Sequence, residues 1–146
     1  MDLSASITYQ ITKCGVLLRQ LSTKRMRDLG LDLTPEEATL LNQLWDRDSQ
    51  SLSELGNWAI KEASTVTRQV DSLVKKGYVL RVRDEEDGRR VLARLTPEGK
   101  KLQKQFTRTG IPTMDQVLAD ISDEELRHAL SAIIRFKEGA IEALKE

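Results

Sequence analysis

Arg68 has the most definite chemical assignment in the chain, and the residues around it supply the reason. If residues 64–76 form a helix with Val66, Val70 and Leu73 turned inward, a rotation of about 100° per residue points Arg68 almost directly outward. Ser64, Thr65, Ser72 and Lys75 then lie within about 60° of it, and Thr67 and Gln69 flank the group. A guanidinium among hydroxyls and an ammonium suits the major groove of duplex DNA. Arginine pairs with guanine O6 and N7 at once, and hydroxyls and lysines bond phosphates or bases. The plainer alternative is a solvated helix face, and the elements around the helix have to decide between the two.

Other chemistry is sparse. The chain has one histidine, His128, so a zinc site built from it alone is not expected. It has one cysteine, Cys14, which excludes an internal disulfide and points to a reducing, cytoplasmic setting. Cys14 falls in an apolar stripe with Ile11 and Leu18, where a packing role is expected. The carboxylate pairs Glu36-Glu37 and Glu124-Glu125 stand at helix starts, where the backbone dipole favours them. No phosphate-cradling glycine loop and no nucleophile elbow is present. The expectation is a binding protein and not an enzyme, with no cofactor and no metal.

Charge is uneven. Lys plus Arg and Asp plus Glu each number 23, so the chain is formally neutral. Residues 61–104 nevertheless hold twelve basic and seven acidic groups, a net of +5, while residues 1–60 hold six and eight, a net of −2. A basic segment between acidic flanks is what a phosphate-binding surface looks like in sequence. No apolar run approaches the roughly 18 residues of a membrane span, and no basic-then-apolar leader opens the chain.

The elements that must position Arg68 can be read in order. Ile7, Ile11, Cys14, Leu18 and Leu21 recur at near-heptad steps, predicting a first helix from about Ser4 to Leu29, stopped by Gly30. Thr34-Pro35-Glu36-Glu37 starts the next helix, with Thr34 as cap and Glu37 closing a capping box. Asp46 to Gln50 is polar and ends it. Ser51 and Glu54 form a second capping box for a short helix on which Gly56 permits a close helix crossing. A turn around Ile60 to Ala63 leads to the Arg68 helix, from Ser64 to about Lys76, and Gly77 ends it. Two alternating runs follow, Tyr78–Arg83 and Val91–Leu95. The first sets Leu80 and Val82 on one face against Arg81 and Arg83, and a polar turn with Gly88 joins the two as a β-hairpin. Thr96-Pro97 caps a helix carrying Leu102 and Phe106 inward, broken or kinked at Gly110-Ile111-Pro112 and continued through Met114, Val117, Leu118 and Ile121. Ser122 and Glu125 make a third capping box before a last helix with Leu126, Leu130, Ile133, Ile134, Ile141 and Leu144.

This order predicts a mainly α fold with a small β-hairpin wing. Within a single domain over 1–146, residues 34–95 form a winged helix-turn-helix. The helices of 4–29 and 97–146 flank it as a dimerisation region, because they carry more apolar surface than the small unit can cover. A wing beside such a helix brings Arg89 toward the minor groove, whose narrow A·T-rich stretches concentrate negative potential.

The hairpin also carries a resemblance. Arg81, Asp84, Asp87, Arg89, Leu95, Thr96 and Gly99 match, in register, the pattern of the MarR family of bacterial transcriptional regulators: an Arg early in the first wing strand, Asp-x-x-Asp-x-Arg in the wing, Leu-Thr-x-x-Gly at the next helix. Ser64-Thr65-Val66-Thr67-Arg68 resembles the start of that family's recognition helix, and the likeness covers about Leu33 to Leu102. Ile60 stands where the family often has glycine, which predicts a turn closed in some other way. The resemblance implies a sequence-specific repressor that binds pseudo-palindromic double-stranded DNA as a homodimer and is released by a small aromatic or anionic effector. No polar cluster marks the effector's residues. Arg81 joins the candidate DNA-binding residues, and Asp84 or Asp87 is expected to pair with Arg81 or Arg89 and steady the wing. Two alternatives remain: a winged-helix protein-interaction module, and a redox-sensing repressor using Cys14, since some relatives in the family sense organic peroxides through a first-helix cysteine.

Overall fold

A computed structural model describes residues 2–108 and 116–146, and the chain divides into two units, residues 1–109 and 110–146. The predicted break at Gly110-Ile111-Pro112 and the residue Met114 lie outside the described residues.

In the first unit, Asp2 caps a short 3₁₀ turn, Leu3–Ala5, and Ser6 caps α1, Ile7–Asp28, so the long helix starts three residues later than the spacing predicts. Gly30 ends it with φ +68°, a left-handed backbone that glycine adopts without a Cβ clash. Thr34 accepts the Glu37 N–H and Pro35 takes the first position of α2, Pro35–Asp46. The reciprocal half of the expected capping box is missing. The buried Glu37 carboxylate instead accepts from the Thr34 hydroxyl (3.1 Å) and from Lys76 Nζ (2.9 Å), because a buried charge gains more from an ammonium than from an amide.

A two-residue strand, β1 (Gln50–Ser51), follows and was not foreseen. Ser51 and Glu54 close the expected capping box of α3, Leu52–Ala59. The turn after α3 departs from expectation. Ile60 itself adopts the left-handed conformation (φ 55°, ψ 50°), as a glycine would, and its N–H donates to the Gly56 carbonyl. Glu62 then stands at the N-cap of α4, Ala63–Lys75, without a side-chain cap bond, so α4 begins one residue before Ser64. Gly56 fulfils its expected role: a Cβ there would sit 3.3 Å from Val66 Cγ2 and from the Lys61 carbonyl, so α3 and α4 cross closely.

Strands β2 (Val79–Arg83) and β3 (Val91–Leu95) form the antiparallel hairpin, and β1 pairs with the other edge of β3 to give the order β1-β3-β2. The inward face of β2 is carried by Val79, which is buried opposite Leu95. Leu80 and Val82 do share a face, but it is the outer one, and Leu80 is 50% exposed. Thr96 N–H donates to the Tyr78 carbonyl, the Thr96 hydroxyl donates to the Gly77 carbonyl (2.6 Å), and Gly99 N–H donates to Thr96 Oγ1. A Cβ on Gly99 would run into the Tyr78 carbonyl, so glycine is required at position 99 of this chain. α5, Pro97–Arg108, buries Leu102 and Phe106 as expected. Trp45 joins α2 to it, donating Nε1–H to the Gly99 carbonyl (2.9 Å) and packing edge-on to Phe106.

The core of this unit is Leu40, Leu41, Leu44, Leu55, Val66, Val70, Leu73 and Val79, all nearly inaccessible. The α1 stripe is not part of it. Ile7, Val16, Leu17 and Leu18 are exposed, and so is Cys14, which does not have the buried packing expected of it within the described protomer. In the second unit Ser122 and Glu125 close the third capping box and open α6, Asp123–Ala143. Leu130, Ile133, Ile134 and Phe136 on α6 are exposed, as is His128. Among the described residues no helix is long and apolar enough to cross a membrane, and no cluster of three or more His, Cys, Asp or Glu is placed to hold a metal.

Candidate nucleic-acid interface

The inner face of α4 is Val66, Val70 and Leu73, each at most 1% exposed. A helix pinned along that line must send Arg68 the opposite way, and Arg68 is exposed. Ser64 and Lys75 are exposed with it, while Thr65, Thr67, Gln69 and Ser72 are half-buried at the flanks. Arg68 Nη2 lies 3.5 Å from Thr65 Oγ1, a contact too long to hold the guanidinium firmly. Thr65, Arg68, Gln69 and Ser72 also line one shallow, open concavity with Thr34, Glu36 and Glu37 of α2, so four of the predicted residues are brought together. Glu36 in turn is bound by Arg19 of α1 through two hydrogen bonds of 2.9 and 3.2 Å. Partial burial pushes the Glu36 carboxyl up, but the Arg19 hydrogen bond and charge outweigh it and hold it below its usual range.

The wing is anchored differently from the expectation. Arg81 pairs with Asp71 of α4 (2.6 Å) and leans on the Thr67 carbonyl, so it ties β2 to the helix and pairs with neither Asp84 nor Asp87. Asp84 Oδ1 accepts the Glu86 N–H (3.0 Å), and its other oxygen lies 3.9 Å from Arg90. Asp87 Oδ1 accepts the Arg89 N–H (3.1 Å). Both acids shape the turn through local amides, because a short side chain in a tight turn meets backbone N–H groups first. Arg83 closes the turn on the Gly88 carbonyl (2.8 Å). The Arg89 side chain is exposed and its guanidinium has no hydrogen bond or ion pair among the described residues.

Two further links were missed from sequence. Arg90 reaches Glu54 at the start of α3 (3.0 Å), and Arg47 lies 3.6 Å from the same carboxylate. The Ser51 N–H, then Arg90 and Arg47, hold the Glu54 carboxyl below its usual range. Asp48 Oδ1 accepts from Leu95 N–H (2.9 Å), joining the loop after α2 to β3. From sequence, Glu54 has a capping role and Asp48 a place in a polar stretch, and neither specifies a partner 36 or 47 residues away.

Comparison with known proteins agrees with this fold. Residues 33–91 match the model of the MarR family. An uncharacterized HTH-type transcriptional regulator, YdgJ of Bacillus subtilis, is 33% identical over 98 residues, which span 67% of this chain but only 60% of that relative. The organic hydroperoxide resistance transcriptional regulator of Bacillus subtilis is 28% identical over 76% of each chain. Among solved structures, the PcaV transcriptional regulator of Streptomyces coelicolor, in complex with its natural ligand, superposes with a TM-score of 0.78 at 25% identity, over 96% of this chain and 97% of that one.

Proposed function

We propose that this chain, whose residues 33–91 match the MarR family model, is a sequence-specific transcription repressor that binds pseudo-palindromic double-stranded DNA as a homodimer. The observation that carries the reading is the outward Arg68 on a helix whose opposite face is sealed in the core, beside a wing tethered to that helix by Arg81–Asp71. α4 enters the major groove, where Arg68 reads a base edge and Ser64, Thr65, Thr67, Gln69, Ser72 and Lys75 contact phosphates or bases. Arg89, with no intramolecular partner among the described residues, enters the minor groove. Arg81 acts here by positioning the wing, and Asp84 and Asp87 shape its turn. Residues 34–95 are the DNA-binding unit, and the helices of 4–29 and 97–146 supply the dimer interface. The exposed apolar residues of α1 and α6 support that assignment, since a lone protomer leaves them in water. A small aromatic or anionic effector acts by changing the spacing of the two recognition helices. The setting is the cytoplasm of a bacterium.

The test is a gel-shift series on genomic fragments that the protein retains. With about six to ten phosphates contacted, the log–log slope against salt should be near −0.9 per phosphate. Arg68→Ala should lower specific affinity more than nonspecific affinity, and Arg89→Ala should act most on A·T-rich flanks. Flat or absent DNA binding would favour a protein-interaction module. A second reading, redox sensing, is favoured by the exposure of Cys14 and by the hydroperoxide-resistance regulator among the relatives. On that reading an organic hydroperoxide releases the parent protein from DNA and leaves Cys14→Ser bound. Equal release of both ends it.

A further inference from the structure

Arg19 of α1 donates to both oxygens of Glu36, the second residue of α2, at 2.9 and 3.2 Å. Glu36 lines the same open concavity as Arg68. The other carboxylate on that lining, Glu37, is buried and committed to Lys76 and to the Thr34 hydroxyl. Glu36 stays accessible, its side chain 31% exposed. Burial raises its pKa, while Arg19 and then Lys61, in the turn before α4, lower it by more. Cations of α1 and of the DNA-binding unit therefore act on one carboxylate. Arg68 is loosely held, its Nη2 3.5 Å from Thr65 Oγ1, so its guanidinium can turn within the concavity. A carboxylate and a guanidinium that face one open space attract each other, and a two-pronged bond to a third group is what satisfies the carboxylate first.

We propose that Arg19 is a positioning residue for DNA reading: by holding both oxygens of Glu36 it keeps that carboxylate from Arg68 and leaves the Arg68 guanidinium to the bases. The inference rests on the proposed function, since it gives Arg19 a part in presenting the reading residue. Without Arg19, Glu36 turns to Arg68, and each base contact by Arg68 must then break an ion pair beside a carboxylate that repels phosphate. The alternative is a strut that only fastens α1 to α2, and the two differ in sign. A strut is broken equally from either end, so Glu36→Gln would weaken DNA binding as Arg19→Ala does. A carboxylate kept in check does no harm once it is an amide, so on the present assignment Glu36→Gln binds at least as tightly as the parent.

Fluorescence anisotropy of the full chain on the genomic fragments it retains, at low salt, separates the two. Arg19→Ala should bind about three- to fivefold more weakly than the parent, and Arg19→Ala with Glu36→Gln should return to the parent's affinity. Lys24→Ala, which removes another α1 cation together with its pair to Asp28, should match the parent. Parent-like binding by Arg19→Ala, no recovery in the double variant, or equal weakening by Glu36→Gln or by Lys24→Ala would overturn the assignment. A second measurement needs no DNA. In a carbon-13 NMR titration of the Glu36 carboxyl, Arg68→Ala should raise the pKa in the Arg19→Ala chain and leave it unmoved in the parent. A rise in neither chain, or an equal rise in both, also overturns it. If the parent retains no DNA, the repressor reading fails, and the titration alone decides whether Arg19 holds Glu36 from Arg68.

Discussion

Two backbone positions in the first unit are held by opposite means. Ile60 occupies the left-handed region at φ 55°, where a β-branched side chain clashes with its own backbone, yet its side chain is 57% exposed and gains little from packing. Ile60→Gly should therefore raise stability, by about 0.5–1 kcal/mol after the extra flexibility of unfolded glycine is counted, read as a higher urea midpoint. Gly99 is the reverse case. Its φ is ordinary for a helix, but the Tyr78 carbonyl occupies the space a Cβ needs. Gly99→Ala should cost about 1–3 kcal/mol by forcing β2 away from α5, seen in the same denaturation experiment.

Among the elements, α2 and α4 are joined by the Glu37–Lys76 pair, with the carboxylate's side chain only 6% accessible. Lys76→Met strands a buried charge and should cost about 3 kcal/mol, and Glu37→Gln in the same chain should recover much of it. Thermal unfolding of the two single variants and the double variant measures the difference. The wing is joined to α4 by Arg81–Asp71 and to α3 by Arg90–Glu54, both at the surface. Each contributes a few tenths of a kcal/mol to stability, so their effect lies in holding the wing in place. Asp71→Ala should leave the thermal midpoint within a degree or so of the parent while weakening DNA binding. Acid acts on Arg90–Glu54 and on the Arg19–Glu36 pair between α1 and α2. Glu36 and Glu54 have folded-state pKa values below their ordinary 4.5, so the stability they contribute is present above that pH and is lost as pH falls through the lower folded values. The thermal midpoint should drop on acidification below about pH 4.5, and Glu54→Gln should drop less.

For the whole molecule the deciding quantity is apolar area without a cover. Leu17 and Val16 on α1 and Ile133 on α6 are each more than half exposed. A partner that hides them gains about 25 cal/mol for every Å² removed from water. Ile133 belongs to the second unit, so Ile133→Asp should leave the first unit folded by circular dichroism. It should convert a dimer to monomers by sedimentation, and abolish operator binding along with the dimer. A parent chain that sediments as a monomer at working concentration removes the dimer from the proposed function.

Periodicity and capping chemistry made most of the architecture legible without coordinates. Val66, Val70 and Leu73 oriented Arg68, two of three capping boxes closed as written, and Thr96-Pro97 marked the start of α5. These are local facts, set by residues within a turn or two of one another. What tertiary structure decided is everything that depends on residues distant in the chain. It sent Glu37 to Lys76 and the Thr34 hydroxyl and not to the Thr34 N–H, and Arg81 to Asp71 and not to the wing acids. It also held Ile60 in a conformation its side chain disfavours and left the Gln43 amide without a partner. A charged or amide group takes whatever complementary group the packed core brings within about 3 Å, and that meeting is a property of the assembled fold and not of any short stretch of sequence.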